Sequence, residues 1–216
     1  MSSNRIRIGV ESTKRRSFAV ALDWPGWSRS GKTPDLAIEA LLAYAPRFAP
    51  VAARAGFDLP PGRLDVDIVE QRDGGASTDY GVPSVTFEAD RAPTSAADAA
   101  GLVALLEAAW TTFDAVAAAA PAELRKGPRG GGRDTAKMVE HILGAEQAYA
   151  GARGVKAAMP DPSDAAAIAR LRDKLLGQLR EPSDGSPIGK WTQRYGARRI
   201  AWHALDHAWE IEDRSD

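Results

Sequence analysis

The cleanest alternation of apolar and polar positions in the chain is RLDVDIVE (63–70), which puts Leu64, Val66 and Ile68 on one face of a predicted strand. RIRIGV (5–10) and RSFAVALDW (16–24) gather β-forming residues on either side of the turn-like ESTKR. PSVTFEA (83–89) reads as a further strand beyond the loop QRDGGASTDYG. After the connection PGWSRSGKT the pattern turns helical. Thr33 is a good N-cap, Pro34 suits the first helical position, and a helix rich in Ala and Leu is predicted to run to about Arg54.

From Ser95 onward the apolar period is that of helices. Ser95 and Asp98 have the spacing of a capping box, with Asp where Glu or Gln is usual, ahead of AADAAGLVALLEAAWTTFDAVAAAA. Pro121 and KGPRGGG end that helix. A second begins near Asp134 (DTAKMVEHILGAEQAYAGA), a third follows MPDPSD (AAAIARLRDKLLGQLR), and a fourth covers roughly 190–213. Four helices joined by short connections predict an up-and-down bundle. The expected fold is α+β: a small αβ module over residues 1–93, then a four-helix bundle over 94–216.

A length of 216 residues admits one large domain or two small ones. Hydrophobic residues make up 44% and charged residues 26%, with a net charge of −1, and acidic and basic residues are balanced in both parts. Neither part offers a basic footprint for nucleic acid. No apolar run approaches the roughly 20 residues that span a bilayer, and MSSNRIRIGVES lacks the apolar core of a secretory signal. A soluble, cytoplasmic protein is expected, with no nucleic acid or membrane partner. There are no cysteines, which removes disulfides, Cys-type zinc sites and a Cys nucleophile together. Thiol chemistry, if it occurs, needs a thiol brought by a small molecule.

Only three histidines are present, and RRIAWHALDHAWEIEDR (198–214) holds two of them four residues apart. That spacing stacks His203 and His207 on one helical face, beside Ile200, Ala204 and Ile211, so the face is predicted to point into the bundle. His141 shares its side of the second bundle helix with Met138, Ile142, Ala145 and Tyr149. A single inward histidine is more often a hydrogen-bonded core residue than a ligand. Three inward histidines, with none spent on loops, match the layout of an open metal site with three protein ligands. Neutral imidazole suits zinc, nickel, iron and copper. Asp206, Glu210 and Glu140 are the nearby carboxylates able to orient the rings.

Two other motifs fail. HALDH has Ala204 where HExxH needs its Glu, and as an inverted HxxEH it has Asp206, one methylene short. GPRGGGRD (127–134) imitates P-loop glycines, but Arg133 and Asp134 replace the required Lys and Ser/Thr, and the segment follows a helix instead of a strand. Arg199 lies about 40° from His203 on the helical wheel. It is a candidate to contact an anionic substrate or a thiol carboxylate, and equally to pair with a carboxylate on a neighbouring helix. Trp24 and Trp27 bracket Pro25-Gly26. Packing of the strand–helix junction is the favoured role for them over an aromatic wall for a ligand.

The helix order, the His in VEHILGAEQAYA, the HxxxH of WTQRYGARRIAWHALDHAWEIEDR and the Arg-Arg and Trp residues flanking it resemble the DinB-like superfamily over about residues 95–216. That resemblance implies His141, His203 and His207 as ligands of a divalent metal, commonly zinc or nickel. For some relatives it also implies S-transfer or isomerisation with a low-molecular-weight thiol such as mycothiol, bacillithiol or glutathione. Only 62 residues separate His141 from His203, shorter than in larger relatives, which implies abbreviated substrate loops. SFAVALDWPGWSRSGKTPDLAIEALLAYAPR resembles the HicB-type αβ unit more loosely. The leading expectation is a metal-binding protein acting on a small-molecule substrate, with a homodimer as an allowed assembly and Arg199 as a residue that binds the thiol cosubstrate. The alternative is a non-enzymatic interaction or regulatory protein with a structural or vestigial histidine site. A third reading, a metal-assisted hydrolase, requires Glu140 or Glu210 to serve as general base.

Overall fold

A computed structural model describes residues 4–60, 62–127 and 132–215. The architecture is α+β, with a four-stranded mixed sheet and seven helices among the described residues. Strands β1 (Arg5–Ser12), β2 (Ser17–Ala21) and β3 (Ser28–Gly31) form an antiparallel meander, and β4 (Asp65–Asp73) adds parallel to β1, giving the order β3-β2-β1-β4. The crossover into β4 runs through helices α1 (Pro34–Ala43) and α2 (Ala45–Arg54). A short helix α3 (Ala76–Asp79) follows, then a 3-10 turn at Glu88–Arg91 and four long helices: α4 (Ala96–Ala119), α5 (Thr135–Ala152), α6 (Ala165–Leu179) and α7 (Gln193–Ser215). Helix α4 packs on α7 and α6, and α5 packs on α6 and α7.

The structure departs from the sequence expectations in three places. Strand β3 arises within PGWSRSGKT, where no strand was expected. Gly26 turns the chain with a φ of +99°, and Ser28–Gly31 then pairs with β2 although its sequence, SRSG, has no apolar alternation. The single helix expected to run to Arg54 bends by 55° at Tyr44, because the ring of Pro46 cannot continue the ladder from Leu42. PSVTFEA is not a strand. Its backbone groups go to side chains: the Ser84 and Val85 amides donate to the Glu11 carboxylate (3.1 and 2.8 Å), and the Val85 carbonyl accepts from Arg198 (3.1 Å). The Phe87 amide donates to Asp90 (2.8 Å), and Asp90 in turn pairs with Arg198 at 2.6 Å, both ends buried. The segment is a strap between the sheet and α7, and the Phe87 ring fills the space where a side chain on Gly9 would stand.

Two caps form as their residues predict. The Thr33 hydroxyl accepts from the Leu36 amide, and Ser95 and Asp98 cap each other's amides at 3.1 Å. Trp27 is fully buried, donates its indole N–H to the Leu41 carbonyl (2.9 Å) and stacks on Phe48, with ring centroids 5.1 Å apart. It is therefore a packing residue, while Trp24 meets Phe48 and Phe57 edge-on.

One apolar cluster runs without a break from Ile6, Ile8 and Val10 of the sheet through Leu41 and Phe48 to Leu106, Phe113, Ile200 and Leu205. A second, smaller one gathers Phe18, Val20, Leu22 and Phe87 around Trp202 of α7. Helix α4, 24 residues with a mean hydropathy of 1.4 over its most apolar window, meets the length and composition of a membrane span, which the sequence reading did not anticipate. Leu102, Leu106, Trp110 and Phe113 are buried against other elements, so the helix packs as a core helix.

Candidate metal centre

Helix α7 is buried on nearly every side, so each of its polar groups has to find a partner or face the interior bare. His203 and His207 stand one turn apart on its flank toward α5, where Ile200, Ala204 and Ile211 are buried beside them. His141 stands midway along α5, next to buried Met138 and Ile142. The three rings meet. Their centroids are 5.0 Å (His141–His203), 5.0 Å (His141–His207) and 4.7 Å (His203–His207) apart, all edge to face. One ligating nitrogen from each lies within 4.8 Å of the other two. Tetrahedral zinc with Zn–N bonds of about 2.0–2.1 Å sets its nitrogens about 3.3 Å apart. The three donors are close enough to be compatible with a metal site.

Protonation favours the same role. Burial, reinforced by the nearby His207 and Arg133, lowers His141 from 6.5 to about 4. Burial lowers His203 well below its ordinary value, with His207 and Arg199 adding to the effect. Both imidazoles are neutral at pH 7, the form that ligates. The His207 Nδ1 lies 2.8 Å from a Glu210 carboxylate oxygen, and Arg214 donates to the other oxygen at 3.0 Å. Those hydrogen bonds hold Glu210 below the usual carboxylate range. A charged Glu210 takes the proton-bearing side of His207 and leaves Nε2 bare for an ion, the carboxylate–histidine arrangement that orients metal ligands. Arg214 is anchored in turn by the carbonyls of Arg125 and Arg133. Pro128, Arg129, Gly130 and Gly131 of the glycine-rich connection lie outside the described residues. The residues on either side of them join α4 to α5, a helix–helix connection.

Of the three carboxylates expected near the rings, only Glu210 bonds a histidine. Asp206 pairs with Arg29 of β3 at 3.0 Å, and Glu140 is exposed. With both Glu210 oxygens committed to His207 and Arg214, neither candidate is placed as the general base that a hydrolase needs. Arg199, one turn before His203, is buried. Its guanidinium carbon lies 5.1 Å from the Tyr149 ring centroid and 4.7 Å from that of Trp202, and no described carboxylate pairs with it. The ion pair with a neighbouring helix that was one of its two expected roles is absent among the described residues.

The αβ part flanks the centre. Trp202 meets Phe18 edge-on with centroids 6.1 Å apart, and Arg29 reaches Asp206. A cavity of about 250 Å³ lined by Arg29, Asp206, Trp209, Glu210, Asp213 and Arg214 adjoins the centre on its Glu210 side. The His207 side chain retains 12% exposure, so the centre is open to solvent. Sequence reasoning missed Arg29, Arg133 and Arg214 as neighbours of the histidines. The i, i+4 spacing of Glu210 and Arg214 was the one local signal available, and nothing local announces the other two. No family model matches the chain, and no curated protein or solved structure matches it. The DinB-like and HicB-like resemblances therefore rest on the sequence features described above.

Proposed function

We propose that this chain is a DinB-like metalloprotein in which His141, His203 and His207 hold a divalent ion, zinc or nickel, and that it catalyses thiol-dependent transfer or isomerisation on a small electrophile in the cytoplasm. The observation that carries the reading is the convergence of all three histidines of the chain, from two helices, with one of them oriented by Glu210. A divalent metal held there supplies Lewis acidity that keeps a small thiol deprotonated near neutral pH. The chain's own part is to present three imidazoles, to fix the His207 tautomer through Glu210 and Arg214, and to shield the His203 side with Tyr149 and Trp202, whose rings lie against it. A cysteine-free chain leaves the external thiol without an internal competitor.

The second reading, an interaction protein with a structural or vestigial site, is favoured by the modest size of the adjoining cavity, about 250 Å³ against the roughly 300 Å³ or more usual for ligand pockets. Elemental analysis of untagged wild type and of His203→Ala tests the metal. We expect about one zinc or nickel per chain in the wild type and loss of it in the variant, followed by thiol consumption when electrophiles are screened. No metal in the wild type after zinc and nickel have been supplied makes the histidines core residues and ends the enzyme reading. One metal per chain without any thiol turnover favours the second reading.

A further inference from the structure

Three arginines, two buried and one nearly so, show what this fold does with an internal guanidinium. Arg198 pairs with Asp90, Arg172 with Glu146 and Asp114, and Arg214 with Glu210. Arg153, without an acid, donates to the Trp191 carbonyl at 2.6 Å and leaves its Nε and Nη2 buried without an acceptor. Arg199 is the unpaired arginine that stands beside the histidines. It is 8% exposed, no described carboxylate pairs with it, and its Nη1 is buried without any hydrogen-bond acceptor. The indole N–H of Trp202, whose ring lies against the same guanidinium, is also buried without an acceptor. Two orphaned donors side by side call for an acceptor that the chain does not supply.

We propose that Arg199 binds a carboxylate of the small molecule that occupies the histidine centre. The guanidinium carbon lies 5.1 Å from the Tyr149 ring centroid and 4.7 Å from that of Trp202, and the Nη1 donors are what remains to offer; a planar fork of donors matches a carboxylate better than it matches a point anion. Charge points the same way. Arg199, one turn from His203, and Arg133, whose carbonyl accepts from Arg214, have no carboxylate partner among the described residues, and Glu210 is already held by His207 and Arg214. A divalent ion bound by three neutral imidazoles leaves this end of the bundle with positive charge for a ligand to neutralise. Arg199 stands one turn from His203, about 6 Å along the helix axis. The ligand therefore carries its carboxylate a short chain away from its reacting sulfur or carbon. Where that reacting end sits rests on the metal reading above; that the carboxylate binds Arg199 does not.

The test has two independent arms. On the metal-free full chain, propionate, propionamide and inorganic phosphate are titrated against tryptophan fluorescence in wild type and Arg199→Gln. We expect saturable binding of propionate to the wild type, at least about tenfold weaker in the variant, the factor that one charged hydrogen bond provides. Propionamide and phosphate should not saturate. If the Gln variant fails to fold, Arg199→Lys, which keeps the charge but loses the planar fork, takes its place. No propionate binding, or binding of phosphate in its stead, overturns the proposal.

On cobalt(II)-loaded protein, the thiolate-to-cobalt absorption band is titrated with 3-mercaptopropionate and with 3-mercaptopropanol. We expect the acid to bind about tenfold or more tightly, with the preference lost in Arg199→Gln at unchanged cobalt content. Equal affinity of acid and alcohol overturns the carboxylate subsite while the metal reading stands. Failure to take up cobalt overturns the metal reading, and the propionate arm then decides the subsite by itself.

Discussion

Glu210→Gln is the sharpest test of how the centre is organised, because it keeps shape and changes only which atoms carry protons. In the native arrangement one Glu210 oxygen accepts from Arg214 and the other faces His207 Nδ1 at 2.8 Å, which fixes the Nδ1–H tautomer. A glutamine amide has one acceptor. Arg214 can only donate, so it claims the amide oxygen, and the NH2 group then faces Nδ1. His207 must accept there and carry its proton on Nε2, the nitrogen that has to be bare to ligate. Loss of such an orienting partner costs about 10- to 100-fold in metal affinity, or roughly 1.4–2.7 kcal/mol. The Glu210 side chain is 36% exposed, which screens the charge contribution, so the tautomer carries most of the effect. Glu210→Ala permits either tautomer, and the Gln variant should therefore bind metal no better than the Ala variant. Competition for zinc against a chromophoric chelator reads the affinities, with thermal midpoints confirming that both variants fold. An affinity for Glu210→Gln within about threefold of wild type, or clearly above that of Glu210→Ala, refutes the reasoning.

Acidity should weaken the metal-free protein in a defined window. His141 is lowered from 6.5 to about 4 and His203 is lowered too, so the unfolded chain binds their protons first; stability is complete above about pH 6.5 and falls as the pH drops toward 4. Lowering His141 from 6.5 to about 4 corresponds, for a ring that solvent reaches, to something on the order of 1.5–2 kcal/mol after screening. Urea unfolding at about pH 7.5 and pH 4.5 should show the loss, and an equal loss in His141→Gln would remove that residue as its source. Asp90→Asn strands the Arg198 charge in the interior and should cost about 3–5 kcal/mol of unfolding free energy. A cost below about 1 kcal/mol would mean that the strap does not depend on the pair.

How much of this could be read in the sequence divides along one line: features written in neighbouring residues were legible, and features completed by distant partners were not. Thr33-Pro34 and Ser95 with Asp98 mark helix starts because a cap is a local hydrogen bond. The helical period put the three histidines on inward faces, yet it could not say that those faces meet; α5 packing beside α7 did that. PSVTFEA has the composition of a strand and fails to be one, because a buried Glu11 and Arg198 take its amides and carbonyl before any neighbouring strand can. SRSG has no strand pattern and becomes one, because the turn at Gly26 lays it alongside β2. The alternation in 63–70 is real, but β4 is an edge strand on which Ile68 and Val69 stay 41% exposed, so the pattern overstated its burial.

The polar residues of α7 show why its histidine face is more than well-packed interior. Along one helix buried almost all round, Arg198 is spent on Asp90 and the strap, Asp206 on Arg29 of the sheet, Arg214 on Glu210 and two loop carbonyls, and Glu210 on His207. The contacts to Asp90, Arg29 and the loop carbonyls tie the helix to other parts of the fold, those among His207, Glu210 and Arg214 stay within it, and all of them give the polar groups partners. Besides the Gln193 Oε1 at the start of the helix, the groups of α7 left without a partner are the Nη1 of Arg199 and the indole N–H of Trp202, beside His203 and His207, with His141 close to both from α5. A fold that selects only for stability replaces such groups with apolar side chains, since a buried donor without an acceptor costs about 1–3 kcal/mol. Three clustered imidazoles are compatible with a cation, and the orphaned N–H groups call for an acceptor. One small molecule bearing an anionic head, seated beside a metal ion, meets both demands at once.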